Sequence, residues 1–65
     1  MLWVEVKKAG NLAMAEMWRE LFEGEGIPTL LKPAGGGAPV REFESYSVMV
    51  PGDKVHVAQE VLRKI

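Results

Sequence analysis

The amino-acid sequence predicts an α+β domain in which two helices cover one face of a three-stranded sheet. Residues 2–7 and 44–50 place apolar side chains at every second position, which is typical of a strand with one buried face. Residues 12–25 and 54–65 carry apolar side chains at helical spacing. The chain has 65 residues, so we expect a single domain over residues 1–65.

Length and composition point to self-association. A chain this short buries a small core, and such domains usually gain stability from disulfides, a metal or a partner subunit. The sequence has no cysteine and one histidine, His56, and a lone histidine does not build a metal site. We therefore expect a homodimer with no metal and no other cofactor.

Charge and hydropathy limit the partners and the compartment. The net charge is −1, whereas nucleic-acid binding draws most of its non-specific affinity from basic residues. No run of 18 apolar residues predicts a membrane span, and the N-terminus lacks the layout of a signal peptide. We expect a complete cytoplasmic protein that binds neither nucleic acid nor membrane, although a protein partner stays open.

The first helix is predicted together with both of its ends. Asn11 is a favourable N-cap residue. Gly26 suits the left-handed position that closes a helix, and Ile27 would then contact Phe22 in the same capping motif. The predicted buried face consists of Met14, Ala15, Met17, Trp18, Leu21 and Phe22.

The second strand and the second helix are predicted from shorter signals. Residues 27–32 form the second strand, and Pro28 places it at an edge or at the start of the ladder. Asp53 is predicted to cap the second helix or to interact with its dipole. The predicted apolar stripe of that helix consists of Val57, Ala58, Val61, Leu62 and Ile65.

The order of the elements predicts the topology of the sheet. The first two strands flank a helix, so a right-handed crossover makes them parallel. The third strand is expected between them and antiparallel to both, which gives the order 2-3-1 with both helices on one face. This is a two-layer sandwich, a truncated ferredoxin-like βαββαβ unit that lacks its last strand.

The face of the sheet opposite the helices is a candidate interface. Strand alternation puts Trp3 there, with Leu30 and Met49 beside it, and a large aromatic side chain on a polar sheet face is typical of a contact surface. The alternative is that Trp3 is only partly exposed or lies under a loop. The unpaired edge of the first strand is a second candidate contact. The polar neighbours predicted on this face are Glu5, Lys7, Lys32, Ser45 and Ser47.

The segment KPAGGGAPVR at residues 32–41 raises the question of a phosphate site. A phosphate-binding loop normally leads into a helix and ends in Gly-Lys-Ser or Gly-Lys-Thr, whereas this segment leads into a strand. It is predicted to be a flexible connection. The alternative is a ligand or partner contact in which Lys32 and Arg41 hold an anion beside the glycines Gly35, Gly36 and Gly37.

The residues that could carry out catalysis are scattered along the chain. His56 has no nucleophile at a matching spacing, and Ser45 and Ser47 lack the motif of a strained nucleophile turn. We therefore expect no catalytic residue and no enzymatic activity. The carboxylates at the ends of elements are expected to be solvated: Glu23, Glu25, Glu42 and Glu44.

Three short segments carry a resemblance to a known family: the Ala15-Glu16 step, EGIP at residues 25–28 and VMVP at residues 48–51. Over nearly its whole length the chain resembles a small bacterial domain family of unknown function, described as a prokaryotic signal-transducing protein. Its members look like shortened relatives of the PII (GlnB) nitrogen regulators. The resemblance implies a GlnB-like fold and a role in signal transduction, without an established reaction.

The resemblance also identifies where this chain departs from PII proteins. In those proteins the loop between the second and third strands is functional, and nucleotide lies near its base. Here the corresponding loop, residues 33–43, is shorter, and the fourth strand is absent.

The sequence thus predicts a small, non-enzymatic regulatory or protein-interaction module that forms a homodimer. Two alternatives stay open. One is a domain that senses a small anion or a nucleotide with the loop at residues 32–41. The other is a subunit that adds its first strand to the sheet of a partner.

Overall fold

A computed structural model describes residues 2–34 and 45–65, and these residues form the predicted succession of elements. In chain order they are β1 (Trp3–Ala9), α1 (Leu12–Gly24), β2 (Leu30–Pro33), β3 (Tyr46–Pro51), a 3-10 turn (Gly52–Lys54) and α2 (Val55–Arg63). Six residues singled out above lie outside the described residues: Gly35, Gly36, Gly37, Arg41, Glu42 and Glu44.

The three strands form an antiparallel sheet with β3 in the middle. The strand order is β1-β3-β2, and β3 is antiparallel to both of its neighbours. The α+β class and the predicted strand order are therefore confirmed, with β1 and β2 as the edge strands of the described part of the chain.

One hydrophobic core joins both helices to the same face of the sheet. Alternate residues of β3 are buried on that face, and each helix adds two buried side chains to it. Both helices therefore lie on one side of the sheet. The buried apolar residues are Ala9, Ala15, Phe22, Ile27, Tyr46, Val48, Val50, Ala58 and Val61.

Both predicted ends of α1 are confirmed. The Asn11 side chain accepts a hydrogen bond from the Met14 amide at 2.8 Å. Gly26 has φ +82°, and the amide of Ile27 donates to the carbonyl of Phe22 at 3.0 Å. This is the closing bond of a Schellman motif, and the side chains of Phe22 and Ile27 are both fully buried, as that motif favours.

A bulge in β1 overturns the predicted position of Lys7. Glu5 pairs with Met49 and Lys7 pairs with Val48, so Val6 is an extra residue in the strand. An extra residue reverses the alternation beyond it, and Lys7 consequently lies on the helix side of the sheet. The prediction that Lys7 lies on the open side is wrong, and Lys8 takes that position opposite Ser47. Leu2, which the alternation over residues 2–7 places on the buried face, precedes the strand and is exposed.

β2 begins later than predicted because the residues that precede it form the C-terminal cap of α1 and the turn that follows. The strand runs over Leu30–Pro33, not over residues 27–32. Ile27 belongs to the helix cap, and the Thr29 hydroxyl donates back to its carbonyl at 3.0 Å. Pro28 therefore lies before the ladder and not at its first position.

The second helix is shorter than predicted at both ends. It runs over Val55–Arg63, with the 3-10 turn in front of it. Asp53 lies in that turn, and no side-chain hydrogen bond caps either element. Of the two roles predicted for Asp53, capping is therefore wrong, while the interaction with the helix dipole stays a prediction. Ile65 lies beyond the helix and is 70% exposed, which excludes it from the core. Within residues 2–34 and 45–65, neither helix is long and apolar enough to cross a membrane.

Candidate functional site

The side of the sheet opposite the helices is uncovered in the described part of the chain. We call it the open face and define it by the side chains that the strand register places there. It includes Trp3, Leu30 and Met49, the three candidate interface residues that the sequence predicted for this side. The full set is Trp3, Glu5, Lys8, Leu30, Lys32, Ser47, Met49 and Pro51.

The register divides the open face into an apolar end and a basic end. Met49 pairs with Leu30 on β2 and with Glu5 on β1. Ser47, two residues earlier in β3, pairs with Lys32 and with Lys8 in the same way. The two lysines thus flank Ser47 in a single row, about 7 Å along the strand from the row of Met49.

The apolar end is completed by Trp3, which pairs with Pro51. Pro51 is buried, whereas Trp3 and Met49 are half-buried and Leu30 is 43% exposed. The apolar surface formed by Leu30 and Met49 thus continues to the end of β3 through Pro51 and its partner Trp3 on β1.

A hydrogen bond orients the acidic residue of the open face. The Ser47 hydroxyl donates to the Glu5 Oε1 atom at 2.6 Å, although Glu5 pairs with Met49 along the ladder. The carboxylate is therefore drawn from the apolar row towards the row of the two lysines. Among the described residues the ion pair that forms is Arg63 with Glu60, at 3.1 Å, and it involves neither Lys8 nor Lys32.

Helix α1 borders a second apolar surface, which the sequence did not predict. Met14 and Met17 were expected in the core, but they are 43% and 47% exposed. Met17 lies about 140° around the helix from the fully buried Phe22, so it cannot face the same sheet. With Ile65 it lines an open groove of about 560 Å³. The methionines at the border of the apolar sector were the only signal for this groove in the sequence.

The remaining predicted residues in the described part of the chain lie on the surface. His56 lies on the exposed side of α2, and Lys32 is exposed on β2. Within the part of the chain that the structure describes, no three His, Asp or Glu side chains are grouped so that they could hold a metal ion. The anion contact between Lys32 and Arg41 stays a prediction, because Arg41 lies outside the described residues.

These observations define a small two-layer α+β domain with one uncovered sheet face. The chain belongs to the family described as "putative prokaryotic signal transducing protein", whose family model matches residues 3–65. The resemblance drawn from the sequence is confirmed at the level of this family, while the likeness to the PII regulators stays a prediction. No curated protein and no solved structure matches the chain significantly.

Proposed function

We propose that this protein is a small non-enzymatic interaction module of a bacterial signalling system and that it acts as a homodimer. One observation carries the proposal: Trp3, Leu30 and Met49 lie together on a sheet face that neither helix covers in the described structure. Apolar side chains grouped on an uncovered sheet face are typical of protein interfaces. The family description supports a role in signalling.

The open face is suited to contact a second copy of itself. A twofold interface uses one patch twice, so its charges must be complementary to themselves. The face carries Glu5 in one row of β1 and Lys8 in the next facing row. A twofold axis that crosses β3 between the rows of Met49 and Pro51 would place the apolar ends of the two copies against each other, with Lys8 of each copy at the rim of the contact.

The proposal also includes the fold class of the domain and the compartment of the cell in which the protein acts. The order of elements, with both helices on one face and β3 in the middle, supports a ferredoxin-like, GlnB-like domain that lacks its last strand. The cytoplasm is the proposed compartment, as the sequence predicts, and fractionation of the host cell would test it.

A matched pair of variants tests the homodimer. Leu30 lies on the open face and Met14 on α1, and both side chains are 43% exposed. We expect Leu30→Glu to dissociate the dimer, because it places a charge in a desolvated contact, whereas Met14→Glu leaves it intact. Sedimentation over a range of concentrations measures the mass of both.

The outcomes separate the proposal from its alternatives. A wild-type protein that is monomeric throughout the concentration range would contradict the homodimer. If both variants stay dimeric, the contact lies elsewhere, and the exposed edge of β1 is the alternative. Titration of the wild type with nucleotides would test the sensing alternative through the resonances of Lys32.

A further inference from the structure

The groove beside α1 lies on the helix side of the sheet, away from the open face. We call it the α1 groove, and it is lined by Met17, Trp18, Glu20, Leu21 and Ile65. Four of these five side chains are apolar, and Met17 and Ile65 are 47% and 70% exposed. An apolar groove of this kind at the side of a helix fits the apolar face of another helix.

The floor of the α1 groove is held in place by contacts within the protein. The ring of Trp18 stacks on Phe22, with 6.2 Å between the ring centroids and 27° between the planes. The Lys7 ammonium lies 5.1 Å from the Trp18 ring centroid. Trp18 is thus fixed by a fully buried neighbour and by a strand residue, while the flexible thioether of Met17 can adapt to an incoming side chain.

The exposed side of the α1 groove is acidic. Glu20 is the one ionisable residue in its lining, and Glu16 and Glu23 lie four residues before and three residues after it, on the same side of the helix. No ion pair involves any of these three carboxylates within the part of the chain that is described.

The basic groups near the groove form no ion pair with these carboxylates in the described residues, and these groups include Arg19 of α1, which lies about 100° around the helix from Glu20. Lys7 lies over the Trp18 ring, and Arg63 is paired with Glu60. Lys64 is exposed next to Ile65, at the opposite border from α1. Charge complementarity therefore favours a basic occupant along α1.

We propose that the α1 groove binds an amphipathic helical segment of a partner protein, with basic residues bordering its apolar face. Within residues 2–34 and 45–65, a second copy of this chain offers no helix of this kind. Helix α1 is itself acidic, and α2, which is flanked by Lys54 and Lys64, already buries its apolar side chains Ala58 and Val61 in the core. The occupant is thus a different protein, and its binding does not depend on the homodimer.

A pair of synthetic peptides tests this proposal on the intact protein. The first is an amphipathic helix of about 15 residues with leucine on one face and lysine on the other, and the second has glutamate in place of every lysine. We expect the lysine peptide to bind at least about tenfold more tightly than the glutamate peptide. The affinities are measured by fluorescence anisotropy of a labelled peptide, and the site is located by amide resonances.

Two variants with the same change of charge make the test specific. Glu20→Lys alters the groove, whereas Asp53→Lys alters the 3-10 turn at the other end of α2. We expect Glu20→Lys to weaken the binding of the lysine peptide about tenfold. Asp53→Lys should change the affinity for this peptide much less. We also expect Met17→Gln to weaken binding, while Leu30→Gln on the open face leaves it unchanged.

Three results would overturn the proposal. The first is no binding of the lysine peptide at high protein concentration. The second is equal weakening by Glu20→Lys and Asp53→Lys, which indicates attraction to the overall charge and not to the groove. The third is a set of perturbed resonances that lies on the open face and not around Met17 and Trp18. Each of these leaves the homodimer proposal standing, because the two surfaces are on opposite sides of the sheet.

Discussion

The Lys7 ammonium lies over the ring of Trp18, 5.1 Å from its centroid, and thus connects β1 to α1. This contact exists because Val6 is an extra residue in β1 and turns Lys7 to the helix side. The next residue, Lys8, faces the opposite side of the sheet.

Lys7 and Lys8 should therefore differ in their effect on stability. We expect Lys7→Ala to lower the free energy of unfolding by about 0.5–1 kcal/mol, the range for an exposed cation over an aromatic ring. Lys8→Ala is the matched control and should change it little. Urea denaturation measures both, and a larger effect at Lys8 would contradict the bulge at Val6.

Two neighbouring glycines should respond to alanine with opposite signs. Gly26→Ala should cost about 1 kcal/mol, because a Cβ is disfavoured at its φ of +82°. Gly24 lies in the last turn of α1, where an added Cβ meets nothing within 4 Å, so Gly24→Ala should stabilise by up to about 1 kcal/mol. Thermal or urea unfolding of both proteins checks the signs, and a neutral Gly26→Ala would show that α1 ends elsewhere.

The N-terminal caps of the two helices provide a third test. Asn11→Ala should cost about 1 kcal/mol, since it leaves the Met14 amide without its partner. Asp53→Ala should have a much smaller effect, because no side-chain hydrogen bond caps α2 or the 3-10 turn. Equal losses of unfolding free energy would indicate that Asp53 caps a helix in solution.

The hydroxyl group of Tyr46 is buried and has no hydrogen-bond partner among the described residues. A buried polar group without a partner carries a desolvation cost of about 1–3 kcal/mol. We expect Tyr46→Phe to leave the free energy of unfolding unchanged or to raise it, as measured by urea denaturation. A loss above about 1 kcal/mol would show that the hydroxyl does bond to another group.

Local features could be predicted from the sequence because their partners are close in the chain. Asn11 bonds to a residue three positions later, and Gly26 closes a turn that begins at Phe22. The alternation of Tyr46, Val48 and Val50 could also be predicted, because β3 contains no bulge and its side chains keep the regular period of two.

Features that depend on partners far along the chain could not be predicted. The bulge at Val6 follows from the pairing of β1 with β3, more than 40 positions away, and it alone decides which lysine belongs to the open face. Periodicity also overestimated the core: it counted Met14 and Met17 as buried, although the sheet has room for only part of the apolar sector of α1. The α1 groove was missed because Ile65 reaches it only through the tertiary fold.

The central claim is that two copies meet through the open face, and intermolecular contacts in a mixed sample test it most directly. Isotope-labelled and unlabelled protein are combined at high concentration, and isotope-filtered nuclear Overhauser effects then report contacts between copies only. We expect them among the Trp3 indole and the methyl groups of Leu30 and Met49. Contacts confined to the edge of β1 or to α1, or no intermolecular contact at all, would contradict the claim.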